Sequence, residues 1–160
     1  MEHAAKGHGN QSHYVRLLVM TVISFIAMYV LMYAMVDRFE NVYPNFNQFY
    51  MAGLMAAAMV AIELVVMGGM YPNKKLNLLL IAASLAALAL FWIFTRKQTA
   101  IGDEQFAKSM IPHHAGAILM CRQASLQDAE LVRLCEGIVR GQQSEIDQMK
   151  AKLRELENPK

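Results

Sequence analysis

DEQFAKSMIPHHAGAILMCRQASLQDAELVRLCEGIVRGQQSEIDQMKAKLREL runs from Asp103 to Leu156, and its periodicity decides the fold. Apolar residues recur at helical spacing on both sides of the polar break Ser125-Leu126-Gln127-Asp128. A first helix is predicted from Asp103, the N-cap candidate after Gly102, to about Ala124. The Ser125–Asp128 stretch has the form of a capping box. It suits a tight turn into a second helix, predicted from about Asp128 to Leu156 and ending before Asn158-Pro159. Pro112 either kinks the first helix or begins its main segment, because proline lacks an N–H and crowds the carbonyl four residues back.

At ~100° per residue, Asp103, Phe106, Met110, His113, His114, Ala117, Met120, Cys121 and Ala124 share about a third of the first helix. Leu131, Leu134, Ile138, Gln142, Glu145, Met149 and Leu156 share one face of the second. These faces should be the apolar, inward ones, yet they hold Asp103, two histidines, Gln142 and Glu145. Buried charge is costly unless it is paired or bound to a metal. Folding the chain at residue 126 sets Met110 opposite Gln142–Glu145, His113 and His114 opposite Val139–Arg140, and Asp103 opposite Met149. The polar residues then converge at one level, which marks a candidate site. Two helices cannot enclose a core by themselves. The hairpin is therefore expected to complete a four-helix bundle as a homodimer or higher oligomer, or to dock on another element.

Upstream the composition changes. Residues 1–95 hold five Lys/Arg and four Asp/Glu, whereas residues 96–160 hold ten and nine. Leu17–Val36 and Leu76–Thr95 carry no charge, and Phe46–Tyr71 is apolar apart from Asn47, Gln48 and Glu63. A span needs roughly 20 apolar residues, so three membrane helices are predicted, about 17–36, 46–71 and 76–95. They follow a polar, His-containing segment (1–16) and precede a soluble domain (96–160). Lys6, Arg16, Lys74 and Lys75 on one side, against Arg38, Arg96 and Lys97 on the other, set the N-terminus in the cytoplasm. The tail is then periplasmic and the membrane the inner one of a Gram-negative cell.

Methionines gather in the first two spans. Met28, Met32 and Met35 follow an i, i+4, i+7 face, and Met51, Met55 and Met59 step toward Glu63. One reading is a thioether-lined path for a soft metal such as Cu(I); the other is flexible helix packing. A carboxyl in the bilayer usually faces a partner or a cavity. Gly53, Ala57 and Ala61 form a small-residue row of the kind that brings helices together.

Asp103-Glu-Gln-Phe106, Met110-Ile-Pro-His-His-Ala-Gly-Ala-Ile-Leu-Met120 and Gln142-Gln-Ser-Glu145-Ile-Asp-Gln-Met149 together resemble the signature of the domain of unknown function 305 family. The resemblance covers roughly Asp103–Leu156. It implies a ferritin-like helical bundle, often periplasmic or membrane-anchored, with some members binding copper and linked to copper resistance. It carries Asp103, Met110, His113, His114, Met120, Gln142, Glu145 and Met149 over as metal-site positions. This chain departs from the family in holding one copy of the hairpin and in lacking an aromatic residue shortly after Met149. The residues themselves agree with copper, since imidazole and thioether together suit it and thioether disfavours Mg²⁺ and Ca²⁺. Met110 and His114 stand at i, i+4. His113 points ~100° away from His114, so the two are not expected to bind one ion from one chain; one of them faces a partner chain or hydrogen-bonds Glu145.

The expected protein is all-α: three transmembrane helices, then a ferritin-like hairpin completed by oligomerisation. It binds copper, for sequestration or hand-off, and is not an enzyme. Its partners are the lipid bilayer, further copies of itself and other copper-handling proteins. One alternative is an oligomerisation module with a hydrogen-bonded polar core and no metal. The other is a ferritin-like metal oxidase, which wants several carboxylates and Glu-x-x-His pairs. A net charge of +2 spread along the tail gives no nucleic-acid footprint. Cys121 and Cys135 are read as buried reduced thiols, with a disulfide or soft copper ligation as the other readings. Met1-Glu2-His3 could bind Cu(II) through a free amine, but a short disordered tail is the preferred reading there.

Overall fold

The computed structural model describes residues 3–158, with side chains from His13 onward. The fold is all-α. Five helices follow in order: α1 (His3–Leu31), α2 (Phe46–Val66), α3 (Lys74–Lys97), α4 (Asp103–Gln123) and α5 (Ala129–Glu157). Two 3-10 turns, Met32–Met35 and Phe39–Asn41, lie between α1 and α2. Three stretches, His13–Met35, Phe46–Val66 and Lys74–Lys97, are long and apolar enough to cross a membrane. The helix begins at His3 and so takes in the polar segment read as a disordered tail. The copper reading of the amino terminus involves Met1 and Glu2, which lie outside the described residues. The second span is shorter than expected, because α2 stops at Val66 before Gly68-Gly69.

The chain divides into two compact units. The first contains residues 3–31 and Phe49–Thr99. Within it, rings interlock edge to face: Phe25 with Phe49 at 5.1 Å and Phe49 with Phe91 at 6.1 Å. Gly53 is buried because α3 comes so close; a Cβ there would sit 2.6 Å from the Phe91 ring. The small-residue row is thus a helix contact at its first member. Glu63 has the partner expected of a carboxyl in an apolar helix: the buried Tyr71 hydroxyl donates to it at 3.1 Å. The bonds continue, with Asn77 donating to the Tyr71 carbonyl at 2.9 Å and the Tyr14 hydroxyl donating to the Asn77 side chain at 2.7 Å. Met32 and Met35 lie in a 3-10 turn, where residues three apart stand on the same side.

The second unit contains Met32–Gln48 and 100–158. Its base is the hairpin of α4 and α5. Gly102, not Asp103, is the N-cap of α4; Asp103 and Glu104 occupy its first turn, where acids complement the helix dipole. The helix runs through Pro112 unbroken. Asp128, not Ser125, caps α5, its carboxylate accepting from the N–H groups of Glu130 and Leu131, both at 2.9 Å. The cysteines are not reduced thiols: Cys121 and Cys135 form a disulfide, with Cα atoms 5.2 Å apart. They face each other because the register differs from a symmetric fold at residue 126. Ala124 and Asp128 are extended, and an extended residue advances the chain about twice as far as a helical one. The connector therefore carries α5 past the end of α4 by about one turn.

The 32–48 segment is a strap across α4. It puts Val36 and Tyr43 against a core of Ala107, Ile111, Ala115, Ile118, Ile146 and Leu153. The Asp37 carboxylate lies 3.6 Å from the Arg122 guanidinium and accepts from Asn41 at 2.7 Å. Asn45 caps α2 by accepting from the Gln48 N–H at 2.9 Å, and the Ser109 hydroxyl of α4, which donates to the Gln105 carbonyl at 2.7 Å, lies 3.3 Å from the same oxygen. Gln105 accepts from the Phe46 N–H at 3.0 Å. The strap backbone passes close to Gly116, where a Cβ would stand in ordinary contact, 3.4 Å from the Met35 carbonyl. This strap is the second of the two expected ways to close the hairpin, docking on another element. The expected inward faces correspondingly rotate. Ile111, Ile118 and Ile146 are fully buried, while Phe106, Met120, Leu131, Leu134 and Leu156 are exposed.

Two outcomes are expected. Gly53→Leu overpacks the contact with Phe91 and costs about 1–3 kcal/mol, read as a lower midpoint in thermal unfolding of the detergent-solubilised chain. Replacing Cys121 and Cys135 together by Ser frees a loop of sequence separation 14 and costs about 3 kcal/mol, with reductant on the unmodified chain lowering the melting point comparably.

Candidate functional site

A polar side chain between packed helices costs free energy unless it is hydrogen-bonded. His114 meets that requirement halfway. It projects from α4 into the hairpin, is 7 % exposed, and its Nε2 lies 2.6 Å from Oε2 of Glu145 on α5. An ionised carboxylate only accepts, so Nε2–H donates. Nδ1 is buried and has no hydrogen-bond partner. In the neutral ring that nitrogen is a bare lone pair enclosed by protein, the form in which imidazole binds a metal. The Glu145 side chain is 56 % exposed, so water screens the ionic part of the contact and the hydrogen bond is its main content.

The remaining candidate residues separate. His113 is exposed, its ring 6.0 Å from that of His114 and inclined by 61°. Met110 is half-buried one turn before His114, and Met149 packs on the core one turn after Glu145. Gln142 is half-buried on α5, and Met120 is exposed toward the disulfide end. Asp103 does not join the histidines. It is exposed in the first turn of α4, where it adds to the effect of Glu155 in holding the Lys152 ammonium above its usual range. Asp103 stands ten residues before His113 on the same helix, about 15 Å along its axis. On α5 the register differs from the expected one by five to six residues, bringing His114 level with Glu145 and not with Val139–Arg140. Among the described residues, no three His, Cys, Asp or Glu side chains gather as a ligand set.

One buried acid went unremarked in the sequence. The Asp37 side chain is 4 % exposed, between Arg38 at 3.8 Å and Arg122 at 3.6 Å. Its signal is the Asp-Arg pair placed directly after an apolar stretch, and it anchors the strap beside the hairpin.

Residues 67–153 match the family model described as a domain of unknown function, DUF305. The match covers more than half of the chain. This chain belongs to the DUF305 family. The match begins well before Asp103, so the DUF305 region takes in α3 as well as the hairpin. The chain is also 29 % identical over 147 residues to uncharacterized protein L153 of Acanthamoeba polyphaga mimivirus. That alignment covers 89 % of this chain and 95 % of the relative. No solved structure matches this DUF305 chain.

Glu145→Ala leaves His114 buried with neither nitrogen bonded, so it is expected to cost about 1–3 kcal/mol in thermal unfolding. Glu145→Gln retains an acceptor and is expected to cost less than half as much in the same measurement. Equal losses for the two variants count against the hydrogen bond as the source of the effect.

Proposed function

We propose that this chain is a membrane-anchored copper-binding protein that sequesters the ion or hands it on. The observation that carries the reading is the unpartnered Nδ1 of buried His114, whose Nε2 is already committed to Glu145. Metal-binding imidazoles are typically held in this way: a carboxylate takes the other N–H, fixes the tautomer and raises the basicity of the ligand nitrogen. Met110 on α4 and Met149 on α5 add thioethers within one turn of the pair. His114, Met110 and Met149 would hold the ion, and Glu145 would orient the imidazole. Imidazole with thioether suits copper. Bound copper would supply a redox-capable positive centre; the protein's own part is to hold and shield it.

The disulfide supports an oxidising side of the membrane for the hairpin. Crossings by α2 and α3 would bring the chain back to the side of the strap, in keeping with a second unit built from both segments. The hairpin would then lie in the periplasm, the N-terminus in the cytoplasm and the anchor in the inner membrane. Other copper-handling proteins would deliver or receive the ion. A ferritin-like oxidase needs several carboxylates about the metal, and Glu145 supplies one. A second reading is favoured by the lack of a three-residue His/Cys/Asp/Glu set among the described residues. In that reading His114 and Glu145 are a metal-free bolt that fixes hairpin register.

Copper titration of the full chain in detergent, read by elemental analysis, separates the two. The expected outcome is stoichiometric binding that His114→Ala removes and that Glu145→Gln weakens by about 10–100-fold, with helical circular dichroism retained. Copper retained unchanged in His114→Ala, or no copper in the unmodified chain, leaves the bolt.

A further inference from the structure

The disulfide does not sit in a closed core. Cys121 and Cys135 are each half-buried, and both line a cavity of about 440 Å³ at the connector end of the hairpin. Leu126 of the connector, with Val132 and Val139 of α5, forms its apolar wall. Three charged side chains complete the lining: Arg122, next to Cys121, and Glu136 and Arg140 on α5. A cavity of this size, mostly apolar with a few converging polar groups, has the make-up of a small-molecule site. A disulfide that only closes a loop needs no such room beside its sulfurs.

We propose that this cavity is a thiol–disulfide exchange site for a small peptide-type thiol, one that carries carboxylates and an ammonium group. The inference makes no use of the copper reading.

Exchange begins when a thiolate reaches a disulfide sulfur. The thiolate of the incoming molecule attacks one Sγ and forms a bond to it. The Sγ–Sγ bond breaks, and its electron pair leaves on the other cysteine. A second thiolate then attacks the sulfur of the molecule already bound, forms a small-molecule disulfide and releases the remaining cysteine. Two small thiols are thereby oxidised to one disulfide as Cys121 and Cys135 are reduced, and the two protons lost by the small thiols end on the cysteines. The folded chain can undergo the exchange, because the core residues Ala107, Ile111, Ile146 and Leu153 lie away from the connector.

The charges select the thiol. Glu136 and Arg140 stand four residues apart, where an exposed pair often closes, yet among the described residues neither forms an ion pair. Both heads are therefore available to a ligand. Arg122 is shared with Asp37, 3.6 Å away, and its side chain is still 42 % exposed. A guanidinium holds a carboxylate through two parallel N–H donors. The Glu136 carboxylate suits an ammonium. A thiol with two anionic groups and one cationic group thus matches the lining group for group, which a neutral thiol does not. The two guanidinia also raise the local concentration of an anionic attacker.

Glutathione and 2-mercaptoethanol, at equal thiolate concentration, serve as probes on the full, copper-free chain in detergent. Maleimide trapping and intact mass follow the reaction. Glutathione should reduce the disulfide at least about 5-fold faster, through an adduct of one glutathione, with helical circular dichroism retained. Arg140→Gln should remove most of that preference and leave the mercaptoethanol rate unchanged. Arg133→Gln alters a charge on the same helix outside the cavity and should change neither rate. Equal rates for the two thiols overturn the proposal. An equal effect of the two arginine variants overturns it as well, by showing attraction to the net charge of the helix. So does reduction confined to the denatured chain, which would show that the cavity gives no access to the sulfurs.

Discussion

A lone pair of helices buries one stripe from each and leaves the rest wet, and the second unit is organised around that shortfall. The strap from 32 to 48 supplies a further wall, with Val36 and Tyr43 against Ile111, Ile118 and Ile146. It is held at both ends by polar contacts, Asp37 with Arg122 and Asn45 with Ser109. Between those points the backbone of Met35 passes beside Gly116. The hairpin core therefore depends on residues separated from it in sequence by two apolar helices.

Enclosing α4 between α5 and the strap also gives His114 its chemistry. An exposed histidine hydrates both nitrogens. Here burial leaves Glu145 as partner to one of them and gives the other none. The disulfide holds α4 and α5 together at the connector end, and Asp128 starts α5 cleanly after the extended connector. Together they set the register that brings Glu145 level with His114. A slip of one turn would separate that pair as surely as a mutation.

The helices were legible because their signals are local. The charge-free runs, Gly102 with the acids after it, and the polar break before α5 mark the element ends within a few residues. Of the polar convergence, only the meeting of His114 with Glu145 took shape; His113 and Asp103 lie exposed and apart from it. What was not legible depends on contacts between distant segments. Both hairpin helices carry two apolar stripes, and periodicity cannot say which one a third element will cover. The small and branched side chains of Ala107, Ile111, Ala115 and Ile118 went to the strap and α5, and the bulkier stripe with Phe106 and Leu134 stayed open. The pairing of Cys121 with Cys135 was missed for a related reason: counting residues from the bend treats extended and helical residues as equal steps.

The strap has a bearing on biosynthesis. It is made before α2 and α3, and its apolar residues wait until α4 emerges to cover them. A chain in which the strap failed to reach α4 would leave Val36, Tyr43 and Asp37 stranded and α4 stripped along one flank. Late arrival of α4 thus completes a core begun by the strap, and the second unit is finished only when both of its segments have been made.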